Sequence, residues 1–155
     1  MRRFYPASLI IILTGFVLFI YACSAGTCFD ETESQVNATF YSMTTGQTLI
    51  PDSVTLYGVN KDTNLIYNKA RSLKAAEFPL FAAQDSCKFV IEINGITDTI
   101  RFTYNSYTHL LSKECGYTYY YTIDSTYHSS NIIDSISVIK KNITTLNEEN
   151  MRIYY

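Results

Sequence analysis

Phe89-Val90-Ile91-Glu92-Ile93, followed by Asn94-Gly95 and then a run from Ile96 to Tyr104, narrows the folds open to this chain more than any other stretch. Apolar and polar residues alternate on either side of the Asn-Gly pair, the period of a strand with one buried and one wet face. Asn and Gly tolerate the positive φ that both central residues of a type I′ turn require. The segment therefore predicts a β-hairpin closed by a two-residue turn.

The same alternation recurs along the chain. Val36, Ala38 and Phe40 share one face, and Val54 and Leu56 share another, with Thr55 and Tyr57 opposite. Shorter strands are expected near Leu65–Tyr67 and Glu77–Phe81, where Pro79 marks an edge or bulge position. Strand continues from Tyr107 to Leu111, Cys115-Gly116 interrupts it, and Tyr117–Ile123, Ile132–Ile139 and Arg152–Tyr155 follow. Tyr, Thr, Ile and Ser are abundant, Trp is lacking, and no internal repeat or helical heptad occurs. Such residues favour pleated, half-buried surfaces. Seven to nine strands at this spacing predict an all-β fold, an antiparallel sandwich of immunoglobulin-like or similar type.

The N-terminus has a different character. Arg2 and Arg3 precede an apolar run, Leu9 to Ala22, that ends in Ile20-Tyr21-Ala22-Cys23. A charged start, an apolar stretch shorter than the about 20 residues of a membrane span and a small residue before the cut site describe a removable export signal. Its layout is that of a bacterial lipoprotein signal peptide, with Cys23 as the lipid-bearing first residue of the mature chain. Tyr21 departs from the usual small residue two positions before that cysteine. The expected organisation is a signal peptide at 1–22, a lipidated tether at 23–34 and a β-sandwich domain at 35–155. Cleavage removes two of the twelve Lys and Arg residues, leaving ten against fourteen Asp and Glu, a net charge of −4. That balance supplies no basic face for nucleic acid, and none for holding the domain electrostatically to anionic headgroups.

Three further cysteines would sit in an exported, oxidising compartment. Cys87 shares strand parity with Phe89, Ile91 and Ile93 and is expected in the core as a small hydrophobe. Cys28 and Cys115 lie beside tether and turn residues and are the expected disulfide, which would stabilise the fold by about 4 to 5 kcal/mol in the chain-entropy model. Only Ser24 to Thr27 separate Cys23 from Cys28, a reach of roughly 15 to 20 Å. The bridge would hold the domain close against the membrane.

Catalytic patterns are sparse: no G-x-S-x-G elbow, H-E-x-x-H, C-x-x-C or phosphate-binding glycine loop occurs. His109 and His128 are isolated in sequence. Asp124 and Asp134 would serve as acid and base only if folding gathered them with His128, and loop aspartates beside Ser125 and Ser135 more often cap turns. Neither enzymatic activity, cofactor nor metal is expected. Tyr117, Tyr119, Tyr120 and Tyr121 form a candidate stacking platform for a glycan, although alternation sends Tyr120 to the face opposite Tyr119 and Tyr121.

Four triplets, Asp52-Ser53-Val54, Asp98-Thr99-Ile100, Asp124-Ser125-Thr126 and Asp134-Ser135-Ile136, resemble the acceptor signal of the protein O-glycosylation system of Bacteroidetes. They make Ser53, Thr99, Ser125 and Ser135 candidate modification sites. The bland account is that Asp-Ser and Asp-Thr end turns well.

Cys23 with Cys28 soon after, the late Cys115-Gly116, Ile133-Asp134-Ser135-Ile136 with Asn142 beyond it, and the ending Glu149-Asn150-Met151-Arg152-Ile153-Tyr154-Tyr155 occur in an informative order. In these respects the chain resembles a family of small Bacteroidetes lipoproteins known only as a domain of unknown function. The resemblance implies an exported β-rich lipoprotein with a Cys28–Cys115 bridge, and carries over no active-site residues. Ser24-Ala25-Gly26-Thr27 lacks the acids that follow the lipid cysteine in surface lipoproteins of that phylum, so the periplasmic face of the outer membrane is the expected location. The functional expectation is a non-catalytic binding or scaffolding subunit attached to the membrane through Cys23, with an outer-membrane protein as partner. The alternative is a glycan-binding module.

Overall fold

The computed structural model describes residues 28–155; Cys23 and the expected signal segment lie outside the described residues. Ten strands form there: β1 (Gln35–Tyr41), β2 (Val54–Gly58), β3 (Leu65–Ala70), β4 (Ala75–Pro79), β5 (Ser86–Ile93), β6 (Ile96–Ser112), β7 (Gly116–His128), β8 (Ser135–Val138), β9 (Asn142–Ile143) and β10 (Met151–Tyr154). They build two sheets, ordered β4-β1-β10-β8 and β3-β2-β5-β6-β7-β9. Every neighbouring pair is antiparallel except β1 with β10.

The predicted hairpin is present in its predicted register. Ile93 pairs with Ile96, and Asn94 and Gly95 hold φ of 52° and 84° across the turn. Asn94 also fixes the segment leading into β2: its side-chain oxygen accepts from the backbone N–H of Asp52 and Ser53, at 2.8 and 3.2 Å.

The sheets pack face to face through one core. Val36, Ala38 and Phe40 from the first sheet bury against Leu56, Ile91, Ile100 and Phe102 from the second. Phe78 of β4 lies 5.4 Å from both Phe89 and Phe102 in edge-to-face geometry, an arrangement that adds about 0.5 to 1.5 kcal/mol per pair beyond burial. Cys87 packs against this core while remaining half-buried and unbridged.

The ending foreseen as a strand, β10, is flanked on both sides, by β1 and β8. The string before it wires those strands together. Buried Asn150 accepts from the Asn37 N–H through its side chain and donates its own N–H to the Asn37 carbonyl, at 2.9 and 3.0 Å. Glu149 takes two hydrogen bonds from the Arg152 guanidinium and one from the Tyr41 hydroxyl.

Three expectations are corrected. The strand expected over Ile132–Ile139 spans only Ser135–Val138, because residues 131–133 turn their N–H groups onto the Asp98 carboxylate. The strand expected at Glu77–Phe81 ends at Pro79. The strand count, expected at seven to nine, reaches ten with β9, while the continuation expected over Tyr107–Leu111 is present in β6, which runs for 17 residues.

Candidate functional site

The length of β6 and β7 creates the feature that the sandwich itself does not need. β5 accompanies β6 only as far as the Ser86–Thr103 rung, and β9 accompanies β7 only at Tyr121 and Thr122. Beyond those rungs the two strands continue as a ribbon to Ser112 and Gly116. Among the described residues no strand pairs with the outer edges of this arm, which therefore presents backbone N–H and C=O groups.

The side chains of the arm follow from the core pattern. Ile100, Phe102 and Tyr104 of β6 and Ile123 and Tyr121 of β7 face the core. Alternation carries the same face outward to Leu110, Tyr117 and Tyr119, which are 49 %, 72 % and 49 % exposed. Beside Ser106 and Thr108, these three large side chains carry the face off the end of the sandwich. On the reverse face Tyr120 is stacked on His109, centroids 4.2 Å apart and planes 15° from parallel, with Tyr107 edge-on at 6.0 Å.

The arm is anchored at its tip. Cys28 and Cys115 form the expected disulfide, with Cα atoms 4.7 Å apart. The incoming segment then follows the arm back, and the Thr118 hydroxyl donates to the Thr32 carbonyl at 2.5 Å. Residues 28–34, the described part of the expected tether, are fastened to the domain, with Ser34 buried. Phe29, 91 % exposed, stands next to the bridge.

Tyr121 leaves the proposed stacking platform. It is buried edge-on against Tyr104 and donates to the Leu80 carbonyl at 3.1 Å. Tyr104 bonds both the N–H and the carbonyl of Phe81, each at 3.1 Å. Burial pushes its phenol up to about 12, so it stays protonated and able to donate.

The residues considered for acid-base chemistry are not gathered. Asp124 is the extra residue of a bulge in β7 and accepts from Asn105 at 2.8 Å. His128, four residues along, bonds the Ser129 carbonyl through Nδ1, while the Asp134 N–H donates to Tyr154 in the other sheet. No described cavity is lined by any of the three. Among the described residues no group of three His, Cys, Asp or Glu side chains is placed to hold a metal ion.

The four candidate acceptor hydroxyls are all half-buried. Ser125 shares a hydrogen bond with Thr103, and the Asp98 beside Thr99 is fully committed to the 129–133 loop. Ser53 sits in the loop before β2, outside the strands.

A family comparison gives the arm and most of the sandwich a common frame. The model for the Family of unknown function (DUF6452) matches residues 53–155, which include nine of the ten strands. The chain belongs to this family. The DUF6452 match takes in Cys115, the arm and the Glu149–Tyr155 string, but begins after β1 and after Cys28 and Cys23. The string that carried much of the resemblance is structural, since Glu149, Asn150 and Arg152 join β10 to β1. Searches of curated proteins and of solved structures each returned no match.

Proposed function

We propose that this DUF6452 chain is an exported, lipid-anchored and non-catalytic binding subunit of an envelope assembly, docking through its β6–β7 arm. The observation that carries this reading is the bridge from the arm tip to Cys28, five residues beyond the proposed lipid on Cys23. Such a tether holds the arm within roughly 20 Å of the membrane surface. A partner embedded in that membrane, an outer-membrane protein, is the class the arm meets first. Its free edges suit strand addition, and its exposed tyrosines supply the large, low-entropy contacts that dominate interfaces. The periplasmic face is the proposed location, given the uncharged Ser24–Thr27. Ser53 is the triplet best placed for O-glycosylation.

A second reading, a glycan-binding module, draws on Tyr117 and Tyr119, whose exposed rings occupy one face about 7 Å apart along the strand. It is tested by glycan arrays with Tyr117→Ala and Tyr119→Ala.

Mass spectrometry of the mature N-terminus, with affinity purification from detergent-solubilised membranes, tests the main reading. Acyl chains on Cys23 and one stoichiometric membrane-protein partner are expected. An unacylated N-terminus removes the anchor, and purification of the chain alone removes the subunit role.

A further inference from the structure

A cavity of about 680 Å³ opens between the β2–β3 turn, the segment after β4 and the first residues of β5. Three cations line it: Lys61, Lys88 and Arg101. No carboxylate does, although the chain as a whole is acidic; the nearest acids in sequence, Asp62 and Asp85, are outside the lining. Among the described residues the ion pairs are Lys140–Glu148 and Arg152–Glu149, so all three cations are unpaired there.

Their placement is costly to the fold. Lys88 and Arg101 stand directly opposite each other on β5 and β6, on the outward face. Like charges opposed across an antiparallel pair destabilise it, where an acid at either position would stabilise it. Lys61 adds a third charge from the turn, its ammonium 5.4 Å from the centre of the Phe81 ring.

The remaining walls are neutral and mixed. Phe81 and Ile66 offer apolar surface, 43 % and 37 % exposed, while Asn60, Asn64 and Gln84 offer amides. Cys87 also lines the cavity, and burial pushes its thiol up to about 11, so it adds no competing negative charge at neutral pH. Phe81 is held in position by its backbone, whose N–H donates to the Tyr104 hydroxyl and whose carbonyl accepts from it.

We infer that this groove binds an acidic saccharide: Lys61, Lys88 and Arg101 take its anionic groups, the amides its hydroxyls, and the Phe81 ring its apolar face. Cations that repel one another in the free protein are neutralised together by one ligand, and Arg101 offers a fork that matches a carboxylate or phosphate. The site is separate from the arm and stands whether or not the docking reading holds.

Titration calorimetry on the full chain in detergent tests it, with trigalacturonic acid as probe, and maltotriose and inorganic phosphate as neutral and charge-only controls. Trigalacturonic acid is expected to bind at least about tenfold more tightly than either control, more weakly as salt is raised, and about tenfold or more worse to Lys88→Ala or Arg101→Ala. Lys88→Glu separates binding from folding: it places an acid opposite Arg101, so the melting temperature should hold or rise while binding disappears. No binding of the trisaccharide overturns the proposal, as does binding that survives Lys88→Glu. Equal binding of phosphate reduces the groove to an unspecific anion site, and equal binding of maltotriose leaves the cations without a role; either outcome also overturns it.

Discussion

Among the described residues, Asp98 accepts more hydrogen bonds than any other side chain. It is buried, and its carboxylate accepts the Ser129 hydroxyl and the backbone N–H groups of Asn131, Ile132 and Ile133. Burial alone would raise its carboxyl, but these hydrogen bonds outweigh burial and hold it below the ordinary carboxylate value. A carboxyl depressed by folding contributes stability that is complete above its unfolded value, about pH 4, and is lost as the pH falls through its folded value. Asp98→Asn should therefore cost about 2 kcal/mol at pH 7, and the gap to the parent should narrow on acidification from pH 5 to pH 2, as read by urea denaturation. A gap unaffected by pH would contradict this role for the charge. At this scale the sequence was partly legible. Parity alone separated Tyr120 from Tyr119 and Tyr121 and placed Cys87 toward the core. Asp98 read as a turn residue or a glycosylation triplet, because its partners lie more than 30 residues away. The Lys88–Arg101 opposition was within reach, since the two-residue turn at Asn94-Gly95 fixes the register.

The arm is the element whose shape alternation did not foretell. Periodicity marked Ile96–Tyr104, Tyr107–Leu111 and Tyr117–Ile123 as strands, but the pattern is the same whether or not a second sheet covers it. Where the first sheet stops, the face that is buried in the sandwich becomes an exposed one, and it carries Leu110, Tyr117 and Tyr119 as free surface. The bridge closes an 87-residue separation and would stabilise the fold by about 4 to 5 kcal/mol in the chain-entropy model. Because it lies at the arm tip, its native-state effect should be local. Cys115→Ser is expected to speed amide hydrogen exchange across residues 106–120 by more than it speeds exchange in β5 and β10, whose amides feel only the loss of global stability. Uniform acceleration would mean the staple supports the whole sandwich, and no change would mean the arm is rigid without it.

For the whole molecule, the fold places two different surfaces at different parts of one sandwich, an aromatic arm tied toward the N-terminal segment and a cationic groove between the β2–β3 turn and the start of β5. The family match supplies membership and no activity, so the functional account rests on these placements. The antiparallel sandwich was legible because one buried face per strand imposes a period of two. The order of its strands was not: the parallel pairing of β1 with β10 joins residues more than 100 positions apart and leaves no local signal. The most direct test of the docking account is photo-crosslinking in living cells, with a light-activated residue at Tyr119 on the arm or at Tyr127, which is also exposed but lies about 26 Å further along β7. The account predicts an adduct to a single membrane protein from position 119 and none from 127. Adducts from both positions alike, or from neither, would contradict it.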